Sequence, residues 1–194
     1  MITAPFPHGE KLDPRKRRTR KSLEDALREL LKERSYKDIY VGDITEKALV
    51  NRATFYAHYL DKQDLASKMV RGDLEEALAR RLPECRPLSV ESLTEVGIGI
   101  FEFIGSLTGP CPIMADEFGT TVNRTIQQTI QSILRGWLEH DPHSMDGFGD
   151  ASRDTVSAVL AWGLFGSALQ WTCQSPRKDI ESATAEVVKL LMPA

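Results

Sequence analysis

The chain has 194 residues and a net charge of −3, and its 41% hydrophobic and 27% charged residues are enough for a packed core. No apolar run reaches the ~18 residues of a membrane span, and the polar, proline-rich first residues lack the apolar core of a secretory signal. These features argue against membrane and secreted proteins. The three cysteines are widely spaced, which is typical of free thiols, so we expect a cytoplasmic protein.

The charge is distributed unevenly along the chain. Residues 11–62 hold 14 lysines and arginines against 9 acidic residues, whereas residues 63–194 hold 11 against 18. A basic N-terminal third followed by an acidic remainder indicates that only one end of the molecule meets a polyanion.

Helical periodicity dominates the sequence and strand signals are scarce, so the predicted fold class is all-α with about nine helices. The first helix is predicted to begin at Asp13-Pro14, a capping residue followed by a proline in the first turn. Asp61, with Asp64 three residues later, is a second start signal. Residues 140–151 are predicted to form a loop. The helical patterns cover residues 13–35, 43–49, 51–59, 61–82, 88–108, 115–139, 152–174 and 178–191.

The segment NRATFYAHYLDK (51–62) divides its side chains by direction on a helical wheel. Phe55 and Tyr59 fall on one side, where they can close a small core. Ala53, Tyr56 and Ala57 fall on the other side, which lacks lysine and glutamate and would let a helix backbone approach a DNA groove closely. The alternative is a buried helix whose aromatic residues all belong to the core, but it leaves the outward Tyr56 and the basic flank unexplained.

Polar side chains frame this outward face. Asn51, Arg52 and Thr54, at the start of the helix, can offer hydrogen bonds to base edges or phosphates. The Tyr56 hydroxyl and the His58 ring suit phosphate oxygens. Lys62 lies at the start of the next helix, where free N–H groups and the helix dipole also favour a phosphate. Together with the short preceding helix and the tight turn, these residues predict a helix-turn-helix DNA-binding domain.

The stretch ITEKALVNRATFYAHYLDKQDL (44–65) resembles the DNA-binding signature of the TetR family of bacterial transcriptional regulators. The matching frame is Ile-x-x-x-Ala, then Thr-Phe-Tyr-x-His-Tyr, then Lys-x-x-Leu, and the resemblance covers residues 18–66. The predicted division is a flexible tail (1–12), a three-helix helix-turn-helix domain (13–62) and, as the resemblance implies, a larger helical effector-binding and dimerisation domain (63–194). The resemblance also implies DNA contacts by Thr54, Tyr56, His58 and Lys62, and base reading by the variable positions Asn51, Arg52 and Ala53.

Three positions depart from the family pattern. Leu49 occupies a turn position that is commonly glycine, so the turn must either avoid a positive φ or strain a leucine. Ala53 replaces a second common glycine. Tyr40 and Val41 stand where threonine often precedes the second helix, so Tyr40 becomes the candidate for that phosphate contact.

The C-terminal two-thirds contain SAVLAWGLFGSALQWT (157–172), which is apolar almost all round and rich in small residues. Such a helix is expected to be buried on most sides. The resemblance implies an intersubunit four-helix bundle, to which residues 152–174 and 178–191 would contribute in a homodimer. The alternative is that both helices are buried only within their own subunit.

Residues 100–137 are the candidate wall of an effector pocket. The alternative is that the aromatic residues are ordinary core and the polar ones are solvated. The candidate lining consists of Phe101, Phe103, Phe118 and Trp137, with polar points at Asn123, Gln127 and Gln131.

A few residues have the chemistry of other kinds of site. His140 and His143 lie in an acidic loop and are candidate metal ligands, and Cys85 or Cys111 is a candidate thiol sensor. We find no nucleophile–base pair, HExxH, phosphate-binding glycine loop or Cys-x-x-Cys, so neither an enzyme nor a cofactor is predicted.

The hypothesis is therefore a homodimeric, ligand-responsive repressor. It would bind a palindromic operator on double-stranded DNA through a recognition helix at about 51–59, and a small-molecule effector would release it. The alternatives are a helical DNA-binding protein without an effector and a small helical enzyme.

Overall fold

The computed structural model describes residues 13–82, 87–107 and 117–192, and within these ranges the chain forms eight α-helices, two short 3₁₀ helices and no strand. The all-α prediction is confirmed, with a helix count close to the nine expected. The predicted tail at 1–12 lies outside the described residues, as do Cys85 and Cys111. The helices are α1 (Pro14–Glu33), α2 (Val41–Lys47), α3 (Arg52–Tyr56), α4 (Lys62–Arg81), α5 (Val90–Leu107), α6 (Glu117–His140), α7 (Arg153–Thr172) and α8 (Ile180–Leu191).

The described chain divides into two compact units. The N-terminal unit comprises residues 13–72 and 117–125, and the C-terminal unit comprises residues 73–82, 87–107 and 126–192. The sequence placed a boundary after residue 62, which is the first residue of α4. Because α4 is one continuous helix, the N-terminal unit extends along it to residue 72 and also takes in the start of α6.

The N-terminal unit is built on the apolar stripe of α1. The Asp13 carboxylate accepts the Arg15 N–H at 2.8 Å and Pro14 is the first helical residue, as the capping pattern predicted. α1 packs on α2, and α2 packs on α3. The core that results contains side chains spaced at three and four along α1 together with residues from the later helices and from the segments between them: Leu23, Ala26, Leu27, Leu30, Ile39, Ile44, Phe55, Tyr59 and Leu65.

The C-terminal unit contains a closely packed group of helices, α5, α7 and α8. Glycines allow the close approach: a Cβ on Gly97 of α5 would lie 2.4 Å from a Thr184 methyl group of α8, and a Cβ on Gly163 of α7 would lie 2.7 Å from Leu191 of α8. Alanine at either position would require these side chains to shift. None of the helices in the described ranges is both long and apolar enough to cross a membrane.

Candidate nucleic-acid interface and effector region

α2 ends in a tight turn that holds Leu49 in the left-handed region, with φ of 56°. The Leu49 N–H donates to the Glu46 carbonyl and the Val50 N–H donates to the Thr45 carbonyl, at 3.1 and 3.0 Å. These two bonds form a Schellman motif, whose left-handed position is usually glycine. Of the two outcomes that the sequence left open, the structure shows strain on the leucine, whose side chain is 92% exposed and gains no packing in return.

The recognition helix α3 spans only Arg52–Tyr56, shorter than the predicted 51–59. It begins at Asn51 because the side-chain Oδ1 of that residue accepts the Thr54 N–H at 2.7 Å and the Thr54 hydroxyl at 2.9 Å. Asn51 and Thr54 thus serve first as the cap of α3, and the amide nitrogen of Asn51 keeps its two donors for other partners. Beyond Tyr56 the chain continues as turns that carry His58 and Tyr59.

The side chains of this segment divide as the helical wheel predicted. Phe55 and Tyr59 are buried, whereas Ala53 and Ala57 are exposed and Tyr56 is 57% exposed. The Tyr59 hydroxyl donates to Glu24 Oε1 at 2.8 Å, and burial followed by the Glu24 charge raises the pKa of that hydroxyl. Tyr59 therefore stays neutral and anchors the segment to α1.

A basic cluster surrounds His58. Partial burial lowers the pKa of His58, and the charges of Arg20, Lys16 and Lys68 lower it further. His58 is thus held neutral beside three cations from α1 and α4. Lys68 was missed in the sequence, although its place two turns into a helix that starts beside the recognition segment could have indicated it.

The first two turns of α1 carry six cations, Arg15 to Arg18, Arg20 and Lys21, and the first turn holds no acidic residue. Cations at a helix N-terminus oppose the helix dipole, and like charges three or four residues apart repel one another. The arrangement opposes the stability of the isolated helix and favours a polyanion next to it.

Lys62 is placed differently from the sequence-based expectation. Its Nζ donates to the Tyr36 and Ile39 carbonyls at 2.7 and 2.8 Å and lies 4.0 Å from the centre of the Tyr36 ring. The ammonium therefore ties the start of α4 to the 3₁₀ turn at Tyr36–Asp38. Its predicted phosphate contact stays a prediction, and a structural role accompanies it.

Tyr40 caps α2 through its main chain and leaves its side chain 69% exposed. Asp43 Oδ2 accepts the Tyr40 N–H at 2.6 Å, and Asp43 Oδ1 lies 3.2 Å from Arg34. The Tyr40 N–H, followed by the Arg34 charge, lowers the pKa of Asp43. The Tyr40 side chain is therefore accessible, and its predicted contact with a phosphate stays a prediction.

The residues predicted to line an effector pocket are dispersed. Phe118 and Asn123 belong to the N-terminal unit, where the Phe118 ring lies 4.9 Å from the Tyr36 ring, centroid to centroid. In the C-terminal unit, Phe101 packs against Trp171 with centroids 5.8 Å apart. Phe103 lines an open cleft of about 400 Å³ with Arg80, Arg81 and Glu102 among its other walls.

Two α6 residues of the predicted lining, Trp137 and Gln127, carry polar groups that are buried inside the C-terminal unit. Trp137 is 1% exposed, and its indole N–H has no acceptor within the described ranges. Gln127 is buried and donates to Gln131 Oε1 at 3.2 Å, so these amides pair with each other rather than being solvated. A buried donor without an acceptor is costly, so Trp137 remains a candidate polar contact for a ligand.

The other candidate sites gain no support. His143 Nδ1 lies 3.3 Å from Asp146, and no three potential metal ligands cluster anywhere in 13–82, 87–107 or 117–192. The loop that carries these residues includes a 3₁₀ turn, Pro142–Met145, which the proline at its first position explains. Cys173 is exposed and forms no disulfide with another described residue.

A short helix behind a tight turn, with an exposed face and a basic flank, defines a helix-turn-helix DNA-binding domain. Residues 23–69 match the family model of bacterial regulatory proteins, tetR family. This stretch is therefore similar to the DNA-binding domain of the tetR family, in agreement with the resemblance seen in the sequence.

Individual relatives agree with this assignment. An uncharacterized HTH-type transcriptional regulator of Bacillus subtilis (strain 168), YxbF, is 37% identical over 70 residues, which make up 36% of this chain and 18% of that protein. Bacillus subtilis FadR in complex with stearoyl-CoA is similar in structure, with a TM-score of 0.58, 17% identity, and coverage of 88% of this chain and 96% of that chain. Thermus thermophilus FadR, a TetR-family repressor in complex with lauroyl-CoA, is also similar in structure. Its TM-score is 0.54 and its sequence identity is 23%, with coverage of 89% of this chain and 92% of that chain. At these identities, the likeness to the solved structures shows the fold.

Proposed function

We propose that the protein is a homodimeric transcriptional repressor that binds a palindromic operator through α3 and is released by a small molecule. The observation that carries the proposal is the outward face of the recognition segment. It presents an exposed tyrosine between two exposed alanines, where an ordinary solvated helix would present lysine and glutamate.

The residues of this face have distinct roles on DNA. Ala53 and Ala57 allow close approach to the major groove, and Arg52 and Asn51 reach base edges from the start of the helix. Phosphates are contacted by Tyr40, Thr54, Tyr56 and His58, and by the cations of the basic cluster, Lys16, Arg20 and Lys68. These backbone contacts position the helix but do not select the sequence.

Dimerisation is supported by an apolar face on α7 that the described residues leave open. Val159 and Trp162 are exposed at 57% and 58%, and a Cβ on Gly166 would meet nothing within 4 Å. The helix is thus not buried on every side within its own subunit. Leu190, on α8, is exposed as well. Exposed tryptophan, valine and leucine next to a bare glycine are typical of a subunit interface, and two copies would place two recognition helices on one palindrome.

The effector is proposed to bind beside α6 in the C-terminal unit, where the Trp137 N–H would donate to an acceptor atom of the ligand. No charged residue is among the buried polar side chains there, which are threonine, serine and glutamine in the described ranges. The buried part of the effector would therefore be neutral and largely apolar. Because two similar structures hold acyl-CoA, stearoyl-CoA and lauroyl-CoA are the first compounds to test.

Coupling to DNA would run through the start of α6. The Phe118 ring lies against Tyr36, whose carbonyl and ring both hold the Lys62 ammonium at the start of α4. A ligand that favours a shifted α6 would move Phe118 and loosen this contact, so the DNA-competent arrangement would lose population.

A titration of fluorescent DNA from upstream of the gene, followed by anisotropy, tests the proposal. We expect Tyr56→Phe to weaken binding to every sequence tested, because a phosphate contact is lost, and Arg52→Ala to change which sequence is preferred. Equal binding by wild type and both variants would refute the docking.

A further inference from the structure

The position of the Arg52 side chain, on the recognition helix α3, depends on a glycine outside that helix. Gly42 is the second residue of α2, and a glycine inside a helix is destabilising relative to alanine. Its φ is not in the left-handed region, so the backbone does not require it. A side chain at this position would displace Arg52: a Cβ on Gly42 would lie 3.0 Å from Arg52 Nη2, so the guanidinium would have to move by a few tenths of an ångström.

Arg52 is the first residue of α3, and its guanidinium therefore lies on the bare backbone of α2. The side chain is exposed and has no ion pair or side-chain hydrogen bond within the part of the chain that the structure describes. The acidic residue nearest in sequence to Gly42, Asp43, does not capture it, because its two oxygens are engaged by the Tyr40 N–H and by Arg34. The glycine restricts where the guanidinium lies while its donors stay available for a ligand.

We propose that Gly42 is a positioning residue for sequence recognition: by leaving room for the Arg52 guanidinium, it sets the direction from which Arg52 meets a base pair. This inference rests on the proposed function. A bidentate contact to guanine depends on the direction of the planar guanidinium, so a displacement of a few tenths of an ångström at Arg52 Nη2 changes the base that is read.

The test is selection of bound sequences from a pool of random double-stranded DNA by four proteins: wild type, Gly42→Ala, Arg52→Ala and the double variant. We expect Gly42→Ala to lower the preference by about tenfold at the same half-site position that Arg52→Ala affects, and to leave the other positions unchanged. In the Arg52→Ala background, Gly42→Ala should have no further effect. Gly72→Ala is the control, because a Cβ on that α4 glycine meets nothing within 4 Å.

Thermal melting shows separately that each variant is folded, and alanine at Gly42 should not lower the melting temperature, because it favours the helix. The inference is overturned if Gly42→Ala retains the wild-type preference, or if it weakens all sequences equally, as a purely structural role would. In either case, a change in the preferred DNA sequence caused by Arg52→Ala would still support the proposed function. If wild type selects no sequence at all, the proposed function fails and the inference fails with it.

Discussion

Replacing Leu49 by glycine is expected to stabilise the protein. The left-handed conformation at φ of 56° costs a non-glycine residue about 1–2 kcal/mol, and the 92% exposed side chain contributes almost no burial. Glycine removes that strain but adds freedom to the unfolded chain, worth about 0.5–1 kcal/mol in the opposite sense. The net expectation is a gain of about 0.5–1 kcal/mol.

For a chain of this length, such a gain corresponds to a rise in melting temperature of about 1–4 °C. The assay is thermal and urea unfolding followed by circular dichroism. Leu60→Gly is the matched control, because Leu60 is also highly exposed, at 81%, lies in the same unit and has no positive φ. It should lose about 0.5–1 kcal/mol. If Leu49→Gly were destabilising, or if the two variants changed stability equally, the assignment of strain to Leu49 would be wrong.

Three further predictions concern the interface, the pH dependence and the coupling. Trp162→Glu should convert the dimer to a folded monomer, measured by light scattering after gel filtration; a dimer that persists would contradict the α7 interface. Phosphates near His58 should raise its pKa from the lowered value of the free protein, so DNA affinity should strengthen as pH falls through about 6.5, and His58→Gln should remove that dependence. The free protein should lose folding stability as the pH falls over the same range, because the unfolded chain binds the His58 proton more tightly than the folded protein does. Phe118→Ala should leave effector affinity in calorimetry within about threefold of wild type while reducing the effector's influence on DNA binding; an unchanged influence would exclude the Phe118–Tyr36 contact as the link.

The sequence predicted the DNA-binding unit well because local rules determine it. Asp13 and Pro14 mark the start of α1, Asp61 and Asp64 mark the start of α4, and the period of the helix separates Phe55 from Tyr56. These signals act within a few residues of one another, so spacing alone is sufficient.

Contacts between distant residues were not predictable in the same way. Lys62 donates to carbonyls more than twenty residues earlier, and Gly42 accommodates a side chain from the next helix. The predicted effector lining was dispersed because aromatic residues on one helix face different neighbours along its length, so Phe118 packs on Tyr36 whereas Trp137 is buried in the other unit.

In the proposed complex the outward face of the recognition segment meets DNA, and Ala57→Glu would place a negative charge on that face. Ala57 is exposed, so glutamate should fold in place, but its carboxylate would face phosphates and base edges at close range. Anisotropy titrations on an inverted repeat from the upstream DNA should show at least about a tenfold loss of affinity, whereas Gln128→Glu, the same charge change on an exposed position of α6, should bind as wild type does. Equal affinities of the Ala57→Glu variant and the wild type would show that this face of the recognition segment does not contact DNA.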